Sequence, residues 1–462
     1  MIAIAAALLS AIGFYFSLGL GDQWWLAFLA PIPVLWYAFG ETKPWPAFFV
    51  AFAAMLLGMT NYLPTYATIL PVPVLVIGLV GPAVAFAGSV VGARRVQRSL
   101  GDVPALFAFA ALWTMFDFIA SFNGGAVATP AGAIVGAPML MQSAALVGYL
   151  GVTFLMGAIA AGLALTLRTR NPVPAVIAVA LFAVNAGYGY LRMSEPPERT
   201  MRVALVDSDD AMGKVNKENR DATFKAIDAY AAEIAKLRDS HVQLIVLPEN
   251  ISRVAPEWRD EAQAKFAAAV PAGATLVVGF NTFIDGAQRN VSWAYAPGAK
   301  TPVTYAKRKL IPVLESAVYT PGPGPKVLAN GAGLEICKDM DHQDMIRSDE
   351  VATHPAFLAV PAWDFHGDAW GHGRVAVLRS IENGVPMART ARRGLLTLND
   401  RYGRVVAEAR TTGPFTTLIG DLPLDGRGGN TFYDKIGDVF GWICAAIGVG
   451  LVALSLVKRR PA

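Results

Sequence analysis

The chain has 462 residues, of which 54% are apolar and only 16% are charged, and its formal net charge at pH 7 is +4. This composition excludes an ordinary soluble protein, because the apolar surplus exceeds what a water-exposed surface tolerates. The five histidines form no metal-ligand cluster, and neither a basic stripe nor a phosphate-binding glycine loop is present. We therefore expect no metal, no cofactor and no nucleic-acid partner.

Apolar runs that approach the length of a membrane span dominate the N-terminal part of the chain. A bilayer core of about 30 Å takes about 20 residues of helix. The runs predict about eight transmembrane helices, seven in an N-terminal membrane domain over residues 1–192 and one at residues 436–457. The first run lacks the basic flank of a signal peptide, so we expect it to be retained. The runs are residues 2–20, 24–39, 47–63, 70–92, 104–120, 138–167, 173–190 and 436–457.

Basic residues lie in alternate connections between these predicted helices. They are Lys43, the clusters at residues 94–98 and 168–170, and the terminal cluster at residues 458–460. The positive-inside rule assigns that side to the cytoplasm. The domain between the last two helices is then expected on the outer face of the cell inner membrane, towards the periplasm or the cell exterior.

Residues 201–425 alternate strand-like and helix-like stretches, which predicts an α/β layered fold with partly parallel sheets. The predicted strands are residues 202–206, 242–248, 274–280, 356–360, 387–390, 394–399 and 405–409, and the predicted helices are residues 219–238, 257–269 and 374–383.

Three polar side chains stand at the ends of apolar stretches in this region: Glu249, Lys307 and Cys337. Chemistry in α/β folds tends to sit at the carboxyl ends of strands. A thiol that attacks a carbonyl, a carboxylate that takes its proton and an ammonium that stabilises the oxyanion suffice for acyl transfer. A disulfide with Cys444 is not expected, because Cys444 lies within the C-terminal apolar run.

Taken singly, each of the three is ordinary, and their local contexts give them weight. The segments Leu247-Pro248-Glu249-Asn250, Tyr305-Ala306-Lys307-Arg308-Lys309-Leu310-Ile311-Pro312 and Ile336-Cys337 resemble the Glu-Lys-Cys motifs of the nitrilase, or carbon-nitrogen hydrolase, superfamily. That resemblance covers residues 201–410 and implies an αββα sandwich. A nitrilase-like domain inserted among membrane helices resembles the membrane-bound branch of that superfamily, the apolipoprotein N-acyltransferases.

The resemblance implies an enzyme that moves an acyl chain from a phospholipid, through a cysteine thioester, to the N-terminal amine of a diacylglyceryl-cysteine lipoprotein. Glu249 would be the base, Lys307 the oxyanion stabiliser and Cys337 the nucleophile. The expected partners are the phospholipid donor, the lipoprotein acceptor and membrane lipid, with the protein a monomer. Supporting residues would be Glu315, which orients the lysine, together with Asp339, Trp363 and His372, for which a structural hydrogen bond competes with substrate contact.

One departure from the family pattern follows the nucleophile. Lys338 stands where these transferases carry an aromatic residue, and only Asp339 keeps the acid. Lys338 is expected either to lower the pKa of the thiol or to point to solvent. The departure leaves two alternatives open: a membrane-tethered amidase or transferase for a different amine, and a catalytically inactive scaffold that binds lipoproteins.

Overall fold

A computed structural model describes residues 1–425 and 428–458, and the chain divides into two compact units. One comprises Met1–Glu195 with the chain from Lys435 onward, and the other comprises Pro196–Asp434. Arg459 and Arg460 of the predicted terminal basic cluster lie outside the described residues.

The first unit is built from helices. In chain order they are α1 (Ile2–Ser17), α2 (Leu26–Leu29), α3 (Ile32–Gly40), α4 (Pro44–Gly58), α5 (Leu63–Tyr66), α6 (Val72–Leu100), α7 (Asp102–Gly124), α8 (Pro138–Met141), α9 (Ala144–Val147), α10 (Tyr149–Thr169) and α11 (Val173–Arg192), with α16 (Phe432–Ile436) and α17 (Val439–Val457) after the second unit. Short 3-10 helices cover Met59–Tyr62 and Pro130–Gly136.

Six helices of the described chain are long and apolar enough to cross a bilayer, which makes this a multi-pass membrane protein. They are Pro44–Tyr66, Val72–Leu100, Asp102–Phe122, Tyr149–Thr169, Val173–Arg192 and Val439–Val457. This count differs slightly from the predicted eight, because the apolar helices Ile2–Ser17, Leu26–Gly40 and Pro138–Val147 are shorter than these six. Helix α1 has 16 residues and rises only about 24 Å, and the second predicted run is broken at Pro31, where α2 gives way to α3.

The run at residues 138–167, predicted as one helix, is also interrupted. Gly148 adopts a φ of 72°, a backbone conformation that glycine reaches without steric cost. The chain therefore forms two short helices, α8 and α9, before the full-length span α10 begins at Tyr149.

Among its described residues, the second unit contains twelve strands and four helices, besides the start of α16. The strands are β1 (Arg199–Asp207), β2 (Leu244–Val246), β3 (Arg253–Val254), β4 (Thr275–Ile284), β5 (Ala287–Tyr295), β6 (Val303–Ala306), β7 (Ala332–Leu334), β8 (Phe357–Trp363), β9 (Met387–Arg392), β10 (Leu395–Asn399), β11 (Val405–Arg410) and β12 (Thr416–Leu424). The helices are α12 (Arg220–Ala235), α13 (Arg259–Ala269), α14 (Gln343–Thr353) and α15 (Ala369–Asn383), with 3-10 helices at Pro256–Trp258 and Cys337–Asp341.

These strands form two mixed sheets. The first has the order β12-β1-β2-β4-β5-β6, with β3 paired to β4, and the second has the order β11-β10-β9-β8-β7. Strands β1, β2 and β4 are mutually parallel, as are β7, β8 and β9. The parallel strands carry their carboxyl ends to one edge of each sheet, where the residues of interest follow.

The side-chain alternation of β1 shows how the layers stack. Val203 and Leu205 pack into a core shared with the second sheet, including Leu334 and Ala388. Ala204 and Val206 point the other way, into a core with Phe224, Ile227 and Tyr230 of α12. Both faces of a central strand are thus apolar, as expected for a strand covered on both sides. With α15 packed on β10 of the second sheet, the predicted αββα sandwich is confirmed.

The sequence analysis missed several elements. Strands β5 and β12 and helix α14 were not predicted, and β12 pairs antiparallel with β1 from Arg199↔Leu424 to Asp207↔Thr416. The omission of β5 matters most, because it carries a residue of the candidate site.

Candidate active site

Glu249 lies three residues beyond the end of β2 and is only 2% exposed. Its backbone N–H donates to the carbonyl of Ala362 in the second sheet, at 3.2 Å. Position 279, which contacts the backbone of Glu249, requires glycine. A Cβ on Gly279 would stand 2.5 Å from the Cα of Glu249, closer than real contacts allow. The next residue, Asn250, has a φ of 52°. This crowded backbone fixes the direction in which the carboxylate points.

Lys307 directly follows β6 and is 1% exposed. Its Nζ lies 2.8 Å from Oε1 of Glu249 and 2.8 Å from Oε1 of Glu315. An ammonium held between two carboxylates is a charged group whose burial is compensated. The structure therefore places Glu315 where the resemblance put it, against the lysine. The other oxygen of Glu315, Oε2, accepts the N–H of Ile311 at 2.8 Å.

Asn290, on the unpredicted strand β5, completes this arrangement. Its Nδ2 donates to Oε1 of Glu249 at 2.5 Å and to Oε1 of Glu315 at 3.3 Å, while its carbonyl accepts the N–H of Lys307 at 2.9 Å. Sequence reasoning missed this residue, because only the pairing of β5 with β4 and β6 brings it to the site.

Cys337 begins the 3-10 helix Cys337–Asp341 with a φ of 45°. A left-handed backbone conformation at a non-glycine residue costs energy and is typical of functional sites. The thiol Sγ lies 3.6 Å from the carbonyl oxygen of Trp363, at the end of β8. Cys337 is a free cysteine, as predicted, and so is Cys444.

Asp339 ties the nucleophile turn to the lysine segment. It is fully buried, and its Oδ1 accepts the N–H groups of Arg308 at 3.2 Å and Lys309 at 2.8 Å. Its Oδ2 accepts the N–H of Ile336 at 3.0 Å. One carboxylate thus fixes both the residue before the thiol and the two residues after Lys307, which is a positioning role.

Lys338 does not point freely into solvent. Its Nζ is paired with Oδ2 of Asp341 at 2.8 Å, and its side chain is 11% exposed. Lys307 and Arg389 are cations that lower the pKa of the Cys337 thiol, against the effect of burial. The expectation that Lys338 lowers the pKa of the thiol stays a prediction.

His372 lies on α15 with its Nε2 3.1 Å from Oδ2 of Asp368. Although burial alone would lower the pKa of His372, the Asp368 carboxylate raises it to about 9. A protonated histidine paired with a buried carboxylate fits a structural role. The cavity lining described below does not include His372.

Electrostatics keeps the resting thiol protonated. Burial raises the pKa of Cys337 well above its ordinary value, the Glu249 carboxylate raises it further, and Lys307 opposes both. Burial also raises the pKa of Glu249, against the pull of Lys307. Burial would lower the pKa of Lys307, but Glu249 and Glu315 raise it well above the usual range. The lysine is therefore a permanent cation beside a carboxylate with increased proton affinity.

These groups converge on a cavity of about 360 Å³ in the second unit. A neutral thiol, a basic carboxylate and a fixed ammonium within one cavity can carry out nucleophilic acyl transfer. The described residues hold no group of three or more metal-ligating side chains. The lining residues are Val215, Asn216, Glu249, Asn250, Arg253, Gln288, Lys307, Ile311, Leu314, Glu315, Val318, Tyr319, Cys337, Trp363 and Phe365.

Comparison with known proteins places this site in a family context. No family model matches the chain. An apolipoprotein N-acyltransferase from Geobacter metallireducens is 24% identical over 521 aligned positions, which cover 100% of this chain and 95% of that protein. One from Allorhizobium ampelinum is 28% identical over 382 positions, 73% of this chain and 71% of that protein. Another, from Rhizobium leguminosarum bv. trifolii, is 24% identical and covers 84% of this chain and 79% of its own.

Among solved structures, an amidase from Nesterenkonia sp. matches 49% of this chain and 92% of its own at 20% identity, with a TM-score of 0.41. A variant of an amidase from Nesterenkonia AN1, described as a member of the nitrilase superfamily, covers 53% of this chain and 97% of its own at 19% identity, with a TM-score of 0.42.

The fold and site define a multi-pass membrane protein with an αββα domain, and the named relatives support an acyltransferase enzyme. The resemblance to the apolipoprotein N-acyltransferases is confirmed, with one relative aligned along the whole chain.

Proposed function

We propose that this protein is an N-acyltransferase that carries a fatty acyl chain from a phospholipid, through a thioester on Cys337, to the N-terminal amine of a diacylglyceryl-cysteine lipoprotein. The observation that carries the proposal is the buried Lys307, whose Nζ lies 2.8 Å from both Glu249 and Glu315 in the same cavity as the Cys337 thiol. The lipoprotein acceptor and the N-acyl transfer follow the names of the relatives, and the phospholipid donor follows the family resemblance of the sequence.

In the first half-reaction Glu249 takes the thiol proton while the sulfur attacks the ester carbonyl of the phospholipid. The raised pKa of Cys337 means that the thiolate forms only during attack, so the nearby base is required. Lys307 stabilises the oxyanion. Collapse of the tetrahedral intermediate breaks the C–O bond, and Glu249 returns the proton to the departing alcohol, which leaves as a lysophospholipid.

In the second half-reaction the free α-amino group of the acceptor attacks the thioester carbonyl. Glu249 accepts a proton from the nitrogen, the C–S bond breaks and the sulfur recovers a proton, which restores the thiol. The net change is one ester consumed and one amide formed, with no cofactor. Throughout both steps Glu315 keeps Lys307 in position, and Asn290 keeps Glu249 in position through its hydrogen bonds to Glu249 and Glu315.

The side of the membrane on which the catalytic unit lies can be inferred without deciding whether the short helices before Pro44 cross the bilayer. One span, Val173–Arg192, separates the basic pair at residues 168–170 from the catalytic unit, and Val439–Val457 separates that unit from Lys458. With these basic ends in the cytoplasm, the proposed location of the catalytic unit is the outer face of the inner membrane.

The test is intact mass spectrometry of the purified full-length protein after incubation with phosphatidylethanolamine, followed by a diacylglyceryl peptide. We expect an acyl adduct that is lost when the peptide becomes triacylated. Cys337→Ala should form no adduct, whereas Cys444→Ala, which removes the other thiol, should retain it. Triacylated product from Cys337→Ala would refute the mechanism, and release of free fatty acid without triacylated peptide would identify the alternative, an amidase-like hydrolase.

A further inference from the structure

The catalytic cavity has two chemically different walls. One is apolar and includes Ile311, Leu314 and Val318, with Phe365 nearby. The other is polar and consists of Asn216, Arg253 and Gln288, whose side chains have no part in the acyl-transfer steps above. We call these three residues the polar wall. A site that handled only acyl chains and an amine would have no evident use for a guanidinium there.

Arg253, on the short strand β3, is the cation of the polar wall. Its Nη2 lies 3.0 Å from Oε1 of Glu218, whose side chain is 44% exposed. Its Nη1 donates to the carbonyl of Asn216 at a long 3.4 Å, and Nε has no hydrogen-bond partner among the described residues. The five N–H donors of the guanidinium are thus only partly used, and Glu218, its carboxylate partner, is nearly half exposed to solvent.

The cavity lining would be anionic without this residue. Its carboxylates are Glu249 and Glu315, and its cations are Lys307 and Arg253. Lys307 is committed to both carboxylates. Arg253 is therefore the lining cation that is not committed to Glu249 or Glu315, and its carboxylate partner, the half-exposed Glu218, is not a lining residue. An anionic ligand that displaced Glu218 would take over this positive charge.

The polar wall is held rigidly. Nε2 of Gln288 donates to Oδ1 of Asn281 at 2.9 Å. Nδ2 of Asn281 in turn donates to the carbonyl of Val215 and to the hydroxyl of Tyr319, each at 2.9 Å. The guanidinium itself lies over the ring of Phe283, 5.0 Å from its centroid. A preorganised cation of this kind is suited to a phosphodiester, which a guanidinium binds through paired N–H donors.

We propose that the polar wall is the headgroup subsite of the acyl donor, with Arg253 bound to the phosphodiester of the phospholipid. This inference rests on the proposed function. The phosphodiester distinguishes the two lipids that must enter one cavity in turn, because the diacylglyceryl-cysteine acceptor has no phosphate. Arg253 thus selects the donor for the loading step, while the apolar wall receives the acyl chain that both steps share.

The experiment measures loading of Cys337 by mass spectrometry in the full-length protein, with two donors of identical acyl chains: phosphatidylethanolamine and diacylglycerol. In the native protein we expect a preference for phosphatidylethanolamine. Arg253→Gln should raise the KM for phosphatidylethanolamine by about 10- to 100-fold, the effect of one charge-assisted contact, and leave loading from diacylglycerol unchanged. Arg253→Lys should retain part of the preference.

Arg220→Gln is the matched control, because Arg220 also pairs with a half-exposed glutamate, Glu261, away from the cavity. Glycerophosphoethanolamine should inhibit loading in the native protein but not in Arg253→Gln, and inorganic phosphate at equal ionic strength should inhibit less. Equal inhibition by inorganic phosphate would overturn the assignment to a diester.

Two further outcomes would overturn the inference while leaving the proposed function standing. One is an unchanged donor preference in Arg253→Gln. The other is normal loading of Cys337 but slower transfer to the peptide in that variant, which would mean that the polar wall binds the acceptor. Failure of the native protein to load from either donor would refute the proposed function instead.

Discussion

Two adjacent residues, Lys307 and Arg308, enter two buried ionic clusters with opposite properties. The chain has just left β6, so successive side chains point to opposite sides. Lys307 points into the cavity between Glu249 and Glu315. Arg308 points into a cluster in which its guanidinium pairs with Glu335 and Asp349. We call these the open cluster and the closed cluster.

The closed cluster contains as much charge as the open one but contributes nothing to the described cavity lining. Its Tyr305 hydroxyl lies 2.9 Å from Oε2 of Glu335 and 2.8 Å from Oδ2 of Asp339. Asp339 also binds the backbone of the nucleophile turn. The closed cluster therefore acts through geometry, since it holds the strand that carries Lys307 against the turn that carries Cys337.

The difference shows what turns buried charge into chemistry. Both clusters compensate desolvated ions, so burial and shifted pKa values alone do not distinguish them. What distinguishes the open cluster from the closed cluster is that its side chains reach a cavity and a nucleophile. The prediction for each cluster follows: changes in the open cluster reduce the rate of acyl transfer, and changes in the closed cluster reduce stability first.

The largest expected effect is on Lys307→Met compared with Arg308→Met. Loss of the oxyanion donor should reduce the rate of Cys337 acylation about 10²- to 10³-fold in the folded protein. It should also lower Tm, because Glu249 and Glu315 lose the cation that compensates their burial. Arg308→Met strands two buried carboxylates and should destabilise the catalytic unit by about 3–5 kcal/mol. Acylation kinetics and thermal denaturation of the same preparations make the comparison.

Arg220→Met serves as the control for loss of an arginine from an exposed pair and should change neither quantity appreciably. The comparison between the clusters is contradicted if Arg308→Met loses acylation at unchanged Tm, or if Lys307→Met keeps acylation near the native rate in the folded protein.

The sequence was sufficient for the parts of this comparison that follow an apolar strand. Glu249, Lys307 and Cys337 are candidates because each ends an apolar stretch, although their weight comes from the family resemblance of the segments around them. An α/β layered fold is predictable from the alternation of strands and helices, whereas the αββα arrangement is what the resemblance implied. The closed cluster and Asn290 are not predictable in this way. Their partners are distant in the chain, with Arg308 and Asp349 separated by 41 residues, and only the packed sheets bring them together.

The number of membrane spans differs slightly from the prediction for a related reason. Apolar length alone suggested about eight spans, but whether residues 24–39 form one helix depends on the break at Pro31, where α2 ends and α3 starts. Gly148 similarly divides a run of uniform hydropathy. Hydrophobicity specifies which segments enter lipid, whereas single backbone positions decide where helices stop.

A second prediction concerns the charge balance of the open cluster. Alkylation of Cys337 by iodoacetamide should be slow at neutral pH and should increase towards alkaline pH, because burial and Glu249 hold the pKa of the thiol above its ordinary value. Glu249→Gln removes the negative charge and should move the pH profile to lower pH. Lys307→Met removes the opposing cation and should move it to higher pH.

The measurement is the rate of alkylation against pH, read by mass spectrometry, with Cys444→Ala as the background so that only one thiol reports. Shifts of the two variants in the same direction would contradict the assignment of opposite electrostatic roles to Glu249 and Lys307. A shift to higher pH in Lys338→Met, whose ammonium is paired with Asp341, would show that this lysine lowers the pKa of the thiol, and an unshifted profile would show that it does not.

The smallest expected effect tests a third ionic pair, His372 with Asp368, outside the described cavity lining. In the folded protein burial would lower the pKa of His372, but Asp368 raises it from 6.5 to about 9. The folded state therefore binds the proton more tightly, and the pair contributes up to about 3 kcal/mol. That contribution is fully present below pH 6.5 and is lost as pH rises through 9.

The Tm of His372→Gln should consequently fall below that of the native protein at pH 6 and approach it at pH 10. If His372 instead served substrate binding, the variant would lose loading of Cys337 at pH 6 by raising the KM for the donor while its Tm stayed near the native value. A Tm difference that persists at pH 10 would mean that the imidazole stabilises the fold through packing, because no charge then remains on the ring for Asp368 to hold.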